Sequence, residues 1–356
     1  MKILFVCPYP TGVAPSQRFR FEQYFTFLQK HNYTYKVAPF LDTTTWQLLY
    51  KSGHYLQKIM GITKGFLKRI ILLFTLYRYD YLFIHREATP LGLPWFEWVS
   101  TKLFKKKVIF DFDDAIWLPN TSKQNSLIAR LKFHNKTAFI CRWAYKISVG
   151  NQYLGQYAAK FNKHIILNPT TIDTVNLHNP SLYPEVSKEK VTIGWTGTHS
   201  TIKYLTPLLS ILKNLECDYN FNFLIISNQP PGFSLSSLVY VPWQKNTEIA
   251  DLHTIDIGLM PLQDDAWAKG KCGFKALQYM AMSKPALVSP VGVNTQIIQD
   301  GVNGYLCNTA ADWQQKLVVL LNDASLRKKI GEEARKTVEQ HYSVKANQNN
   351  FLDLFT

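Results

Sequence analysis

Short apolar runs rich in β-branched residues alternate with longer amphipathic stretches along almost the whole chain. No other feature restricts the fold as much. In the first half the runs are residues 3–7, 81–85, 108–111, 147–149 and 165–167; in the second they are 191–195, 221–226, 239–241, 255–260 and 286–289. Strand and helix patterns in alternation imply right-handed βαβ units and mainly parallel sheets. With 356 residues, 46% of them hydrophobic, the chain has material for two cores, so two sheets are expected. A seam is expected after Asn168-Pro169-Thr170-Thr171-Ile172-Asp173, where strand character gives way to the polar stretch 176–190 and a fresh strand starts at Val191. This divides the chain into residues 1–170 and a second domain over 171–341. Ligands of doubly wound sheets bind beyond the carboxyl ends of the strands, so the loops there are the places to search.

The formal charge, 40 − 25 = +15, favours phosphate-bearing partners or an anionic membrane surface; no nucleic acid is expected. Five cysteines without paired spacing suggest neither a disulfide framework nor a zinc site, and a reducing cytoplasm is expected. The opening apolar run turns at once into Pro8-Tyr9-Pro10, too short for a signal peptide, and reads as a buried strand. Residues 66–77 form the most membrane-like stretch, but Lys68 and Arg69 interrupt it and it falls short of a span. It reads either as a core helix with basic flanks or as an interfacial helix meeting anionic lipid at the inner face of the plasma membrane.

In the second half, Gly270-Lys271-Cys272-Gly273-Phe274-Lys275 opens a predicted helix that continues through Gln278-Tyr279-Met280-Ala281. A helical register puts Lys271, Lys275, Gln278 and Met282 on one stripe and Phe274, Leu277, Met280 and Ala281 on the other. Unpaired N–H groups at a helix mouth beside two ammonium groups suit a diphosphate. The run Ile193-Gly194-Trp195-Thr196-Gly197-Thr198-His199-Ser200, with Lys203 beyond it, leads from strand to helix through glycines and hydroxyls that can cradle phosphate or sugar oxygens.

Three loops of the first half carry candidate chemistry. After the first strand, Ser16 is a plausible N-cap for a helix from Gln17 that leaves Arg18 near its mouth. A strand over 81–85 runs into His85-Arg86-Glu87, a polar cluster that marks a ligand edge or an Arg86–Glu87 pair. The next strand gives Asp111-Phe112-Asp113-Asp114, three carboxylates in four residues that only a metal, an arginine or a developing cation can compensate. Asp-Phe-Asp after an apolar strand resembles the nucleophile loop of haloacid-dehalogenase-type phosphatases, although its internal position and Ala115 depart from that pattern.

Taken together, the residues resemble glycosyltransferase family 4, a group 1 family of GT-B fold. The resemblance rests on Asp256-Ile257-Gly258-Leu259-Met260-Pro261-Leu262, the Gly270–Ala281 run and Pro285-Ala286-Leu287-Val288-Ser289-Pro290-Val291-Gly292-Val293-Asn294. Pro15-Ser16-Gln17-Arg18-Phe19-Arg20 and the Asp111 loop are similar to a bacterial surface-polysaccharide subgroup. The resemblance implies an α/β GT-B architecture of two Rossmann-like domains with parallel sheets facing across an interdomain cleft, the terminal helix 342–356 rejoining the first domain. It implies donor contacts by Gly12, Gly197, Thr198, His199, Ser200, Lys203, Trp243, Glu248, Lys271, Cys272, Gly273, Phe274 and Gln278. Acceptor-side roles fall to Arg18, His85, Arg86 and Glu87. Members of the family carry two glutamates in the donor helix; the matching positions are Gly270 and Gln278, and Asp264 or Asp265 could substitute.

The expected activity is retaining, metal-independent sugar transfer from a UDP- or GDP-linked nucleotide sugar to a glycan or lipid-linked acceptor, with no further cofactor. Lys275 would stabilise the departing diphosphate; Asp113 and Asp114 would offset cationic charge or orient the acceptor. The alternatives are a magnesium-dependent phosphatase using Asp111 and Asp113, and a non-catalytic basic binding protein with a degenerate transferase fold.

Overall fold

A computed structural model describes residues 1–49, 51, 53–119, 133–184 and 188–356. The chain divides into two compact units, Met1–Thr170 with Gln348–Thr356, and Thr171–Asn347.

The first unit carries a parallel sheet of β1 (Lys2–Cys7), β2 (Thr34–Pro39), β3 (Tyr81–His85), β4 (Lys107–Phe112), β5 (Lys146–Val149) and β6 (Ile165–Leu167). Their spatial order is β2-β1-β3-β4-β5-β6, every neighbouring pair parallel. β1 and β3 are almost wholly buried, which explains continuous apolar runs in place of alternation. Phe5 stacks on Phe21 at 5.2 Å, and Tyr24 lies flat on Phe351 at 4.2 Å. Phe351, Leu354 and Phe355 are buried, so the end of the chain completes this unit's core.

The second unit carries β7 (Val191–Gly197), β8 (Phe221–Ser227), β9 (Leu238–Pro242), β10 (Ile257–Met260), β11 (Ala286–Val288) and β12 (Tyr305–Leu306). The order is β12-β11-β10-β7-β8-β9, again all parallel. Counted within the unit this is the 3-2-1-4-5-6 arrangement of a dinucleotide-binding sheet, and strand order reverses between β7 and β10. In the first unit the reversal falls between β1 and β3. The loops leaving these four strands are therefore the binding positions that topology alone selects.

Several local expectations are corrected. The helix after β1 is a single turn, Pro15–Arg18, whose N-cap is Ala14 and not Ser16; proline fixes φ at the first position, so no side-chain cap is required. Residues 66–77 are not a core helix. Residues 66–73 end a longer helix, Tyr55–Leu73, with large apolar side chains exposed, and a short turn, Leu76–Arg78, follows. No helix among the described residues is long and apolar enough to cross a membrane.

Candidate functional site

In the second unit the helix Phe274–Ala281 is placed by Tyr279. Its ring rests on Gly258 of β10, where an added Cβ would come within 2.2 Å of Cγ. Its hydroxyl accepts from the Thr196 N–H (3.0 Å) and donates to the Leu259 carbonyl (3.3 Å), tying the helix to β7 and β10 at the reversal point. Gly273, at φ 69°, begins the helix in the left-handed region that glycine tolerates.

The first turn then puts Lys275 Nζ 5.3 Å above the ring of Trp195, a buried residue near the end of β7. Trp195 in turn lies against Gly197, where an added Cβ would come within 2.6 Å of its ring. Lys275 and the turn Gly197–Ser200 are thus gathered around one indole. In that turn Thr198 Oγ1 and Ser200 Oγ are 2.8 Å apart, and the His199 N–H donates to Asn228 Oδ1 at 2.9 Å. Thr198, His199 and Ser200 are exposed, and neither 197–203 nor 270–282 contains a carboxylate. The ammonium group and the exposed hydroxyls are groups that an anion can use.

The polar stripe expected along the helix is not formed. Lys271 precedes the helix, in a turn where its N–H donates to the Ala268 carbonyl. Gln278 and Met282 are buried, because the helix packs on β10 and β11 and also against the helix Ala324–Thr337. Gln278 Nε2 lies 3.4 Å from His178 Nε2, within the protein. Of the remaining donor candidates, Cys272 is buried with Sγ 3.9 Å from the Gly270 carbonyl, and Phe274 is half-buried. Lys203 is exposed, its Nζ 5.4 Å from the Tyr204 ring. Trp243 is half-buried just beyond β9, and Glu248 is buried at the start of the helix Glu248–His253. Asp264 is exposed and pairs with Lys269 at 3.1 Å, whereas the Asp265 carboxylate caps the Ala266–Lys269 turn through the Ala268 N–H.

In the first unit the acidic run is met by two arginines, with a histidine and a serine beside them. Arg20, from the segment after β1, is buried against Asp111, which also accepts from Ser148 Oγ (2.6 Å) and contacts His85 Nδ1 (2.7 Å). Arg20 also donates to the Asn168 carbonyl. Burial alone would raise the Asp111 carboxyl, but Arg20 and His85 outweigh it and hold it well below the usual carboxylate range. Both oxygens are committed, so Asp111 is not placed to attack phosphorus. Arg20 went unrecognised as a site residue because its partners lie far along the sequence.

Arg86, at φ 60°, donates to Asp113 (2.8 Å) and Asp114 (2.6 Å). Burial opposes ionisation of Asp113, yet Arg86 and His85 bring its carboxyl below the ordinary value. Glu87 pairs with Lys136 and not with Arg86. His85 spends Nδ1 on the Asp111 carboxylate, which assigns the proton to that nitrogen. Nε2 is left buried, without a hydrogen-bond partner among the described residues, 4.0 Å from Asp113 Oδ1. The other two candidates sit before this cluster: Arg18 is half-buried 5.0 Å from the Phe19 ring, and the Gly12 N–H donates to Glu22 Oε2 at 2.8 Å.

Residues 190–323 match the family model described as glycosyl transferases group 1. A stretch of 65 residues is 38% identical to an uncharacterized glycosyltransferase of Methanocaldococcus jannaschii; the match spans 18% of this chain and 18% of that relative's length. Among solved structures, a glycosyltransferase from Rickettsia africae is similar with a TM-score of 0.68 at 14% identity, over 99% of this chain and 97% of that one. Sucrose-phosphate synthase from Thermosynechococcus elongatus gives 0.70 at 12% identity, over 99% and 98%. HepE of Anabaena in complex with UDP-glucose gives 0.63 at 14% identity, over 100% and 99%. The chain therefore has the GT-B glycosyltransferase fold, two Rossmann-like domains each built on a parallel sheet, and its second domain is similar to the group 1 glycosyltransferases.

Proposed function

We propose that this protein is a retaining glycosyltransferase that takes a sugar from a UDP- or GDP-linked donor and passes it to a glycan or lipid-linked acceptor in surface polysaccharide synthesis. The observation that carries the reading is Lys275 over Trp195, beside the exposed Gly197–Ser200 turn, at the point where strand order reverses. The ammonium group, the N–H groups of the turn and its hydroxyls offset charge that grows on the diphosphate as the glycosidic bond breaks, without a resident metal. HepE, of similar fold, has been solved with UDP and with UDP-glucose. The buried Cys7, Cys141, Cys272 and Cys307, all free thiols, fit a reducing cytoplasm.

In the first domain the acceptor hydroxyl is assigned to His85 Nε2 and to Asp113 and Asp114, which Arg86 steadies. The phosphatase alternative loses its nucleophile, since Asp111 is closed in by Arg20, His85 and Ser148.

Calorimetry with a panel of nucleotide sugars, with and without added magnesium, tests the reading. Binding of at least one UDP- or GDP-sugar without magnesium is expected, followed by transfer whose product keeps the donor's anomeric configuration by NMR. A panel without any binder would sink it. Binding without transfer to any glycan or lipid-linked acceptor would favour the non-catalytic alternative.

A further inference from the structure

The helix Tyr55–Leu73 is mounted in the reverse of the usual sense. A surface helix buries its apolar stripe and exposes its polar one. Here the inward side is the half-buried Gly61 and the buried Gly65, Arg69 and Leu72. Gly61 and Gly65 let the helix come so close that an added Cβ would be 2.2 Å from Thr45 and 2.6 Å from the Phe40 ring. Arg69 is held inside by the carbonyls of Ala88 (2.8 Å), Ala38 (3.0 Å) and Cys7 (3.0 Å). The outward side is Leu56, Ile59, Met60, Leu67, Ile70 and Ile71, continued by Phe74; Leu56 is 78%, Ile71 65% and Phe74 75% exposed. At 100° per residue these positions form one continuous band.

The band is about 28 Å long. Tyr55 and Tyr77, both exposed, stand near its two ends, where amphipathic rings favour a water–lipid boundary. Beside it an open depression of about 310 Å³, lined by Phe66, Leu91, Gly92 and Trp95, adds apolar surface.

Charge selects the occupant. Between Asp42 and Asp80 the sequence has no acidic residue, while Lys51, Lys58, Lys64, Lys68 and Arg78 fall in that interval; of these Lys64 pairs with Asp42 at 2.9 Å. A second copy of the chain would bring the same lysines against these. The helix band alone also offers only roughly 300 Å² per partner, against the ~800 Å² of a stable protein interface.

We propose that this helix is a docking surface for an anionic lipid bilayer: its outward side chains enter the acyl boundary while the flanking lysines meet the headgroups. The proposal goes beyond the transferase reading and does not depend on it. The acceptor, if lipid-linked, would then be met in the plane where the enzyme sits.

The test is co-sedimentation of the full chain with vesicles of phosphatidylcholine alone or mixed with phosphatidylglycerol, without nucleotide. Binding is expected to be about tenfold stronger to the mixed vesicles and to weaken as salt is raised. The exposed pair Leu67→Glu/Ile71→Glu should lose it, with circular dichroism and melting temperature unchanged. Val319→Glu, at an exposed apolar site of the second unit, should retain it. The proposal is overturned if the wild-type chain ignores anionic vesicles or if the pair binds them as wild type. It is equally overturned if sedimentation equilibrium shows a wild-type dimer that the pair converts to monomer with vesicle binding unaltered. Loss of vesicle binding with nucleotide binding intact would leave the transferase reading standing.

Discussion

The two units place opposite chemistry at corresponding ends of their sheets. In the first, the loops after β1, β3 and β4 bring together Arg20, Asp111, His85, Arg86, Asp113 and Asp114, and each charge is answered by another within hydrogen-bond reach. In the second, the corresponding end has backbone N–H groups, small hydroxyls, one lysine over an indole and no carboxylate in 197–203 or 270–282. A cluster of two arginines and a histidine laced to three carboxylates presents fixed direction and a slight negative excess, as a selector of hydroxyl groups can use; a turn of hydroxyls beside a lysine suits an anion.

The largest effect should come from breaking the buried ion pair of the first unit. Asp111→Ala strands the Arg20 guanidinium inside the protein, and removing one partner of a buried pair costs about 3–5 kcal/mol. Urea denaturation followed by tryptophan fluorescence reads this, and a loss below about 1 kcal/mol would show the pair to be hydrated. The same pair fixes the sign of the pH dependence. Asp111 and Asp113 have carboxyls lowered in the folded state, so their contribution is complete above the unfolded value of about 4 and is lost as pH falls from there toward their folded values. Wild type should weaken through that acid window more steeply than Asp111→Ala.

The second unit should answer to ligand and much less to stability. Lys275→Ala removes one ammonium group from a half-buried position, and a charged hydrogen bond contributes about 1.5–3 kcal/mol. Nucleoside diphosphate affinity should fall about 10- to 100-fold by calorimetry, with the melting temperature little changed. Unchanged affinity would move the anion elsewhere in the unit. Tyr279→Phe is a smaller lesion of the same architecture. It leaves the Thr196 N–H without the phenol oxygen and should cost about 1–2 kcal/mol in urea unfolding, while the affinity falls less than for Lys275→Ala.

Much of this was legible in sequence because a strand buried on both faces reads as an uninterrupted apolar run. β3 spans the same residues, Tyr81–His85, that the run marks. The strands that sequence missed, β2 and β12, are both sheet edges. β2 has no fully buried residue, and β12 has two residues, so neither accumulates a hydrophobic signal. At the sites, the need to compensate Asp111, Asp113 and Asp114 was visible in their spacing, but Arg20 as the partner of Asp111 was not, since |i−j| is 91. Helical periodicity put Lys275 and Gln278 on one stripe, but Gln278 is buried and Lys275 is not. A helix covered on two sides has no solvent face beyond its first turn, and only the tertiary packing reveals the second cover.

Gln278 therefore gives the finest test of the contrast between a protein-facing and a ligand-facing group. The resemblance to family 4 matches it to a carboxylate, yet its amide lies in the interior 3.4 Å from His178 and 5% exposed. If it serves the fold, Gln278→Ala should cost about 1–3 kcal/mol by leaving a small void and removing the contact to His178, while donor affinity changes less than about twofold. Gln278→Glu should be no better a transferase, because a carboxylate at this depth must be desolvated before it can meet a sugar. The reverse pattern, a tenfold weaker donor with stability unmoved, would mean that the helix opens to the ligand along its length. The carboxylate-free end of the second unit would then reach from Lys275 to Gln278, about one turn further along the helix.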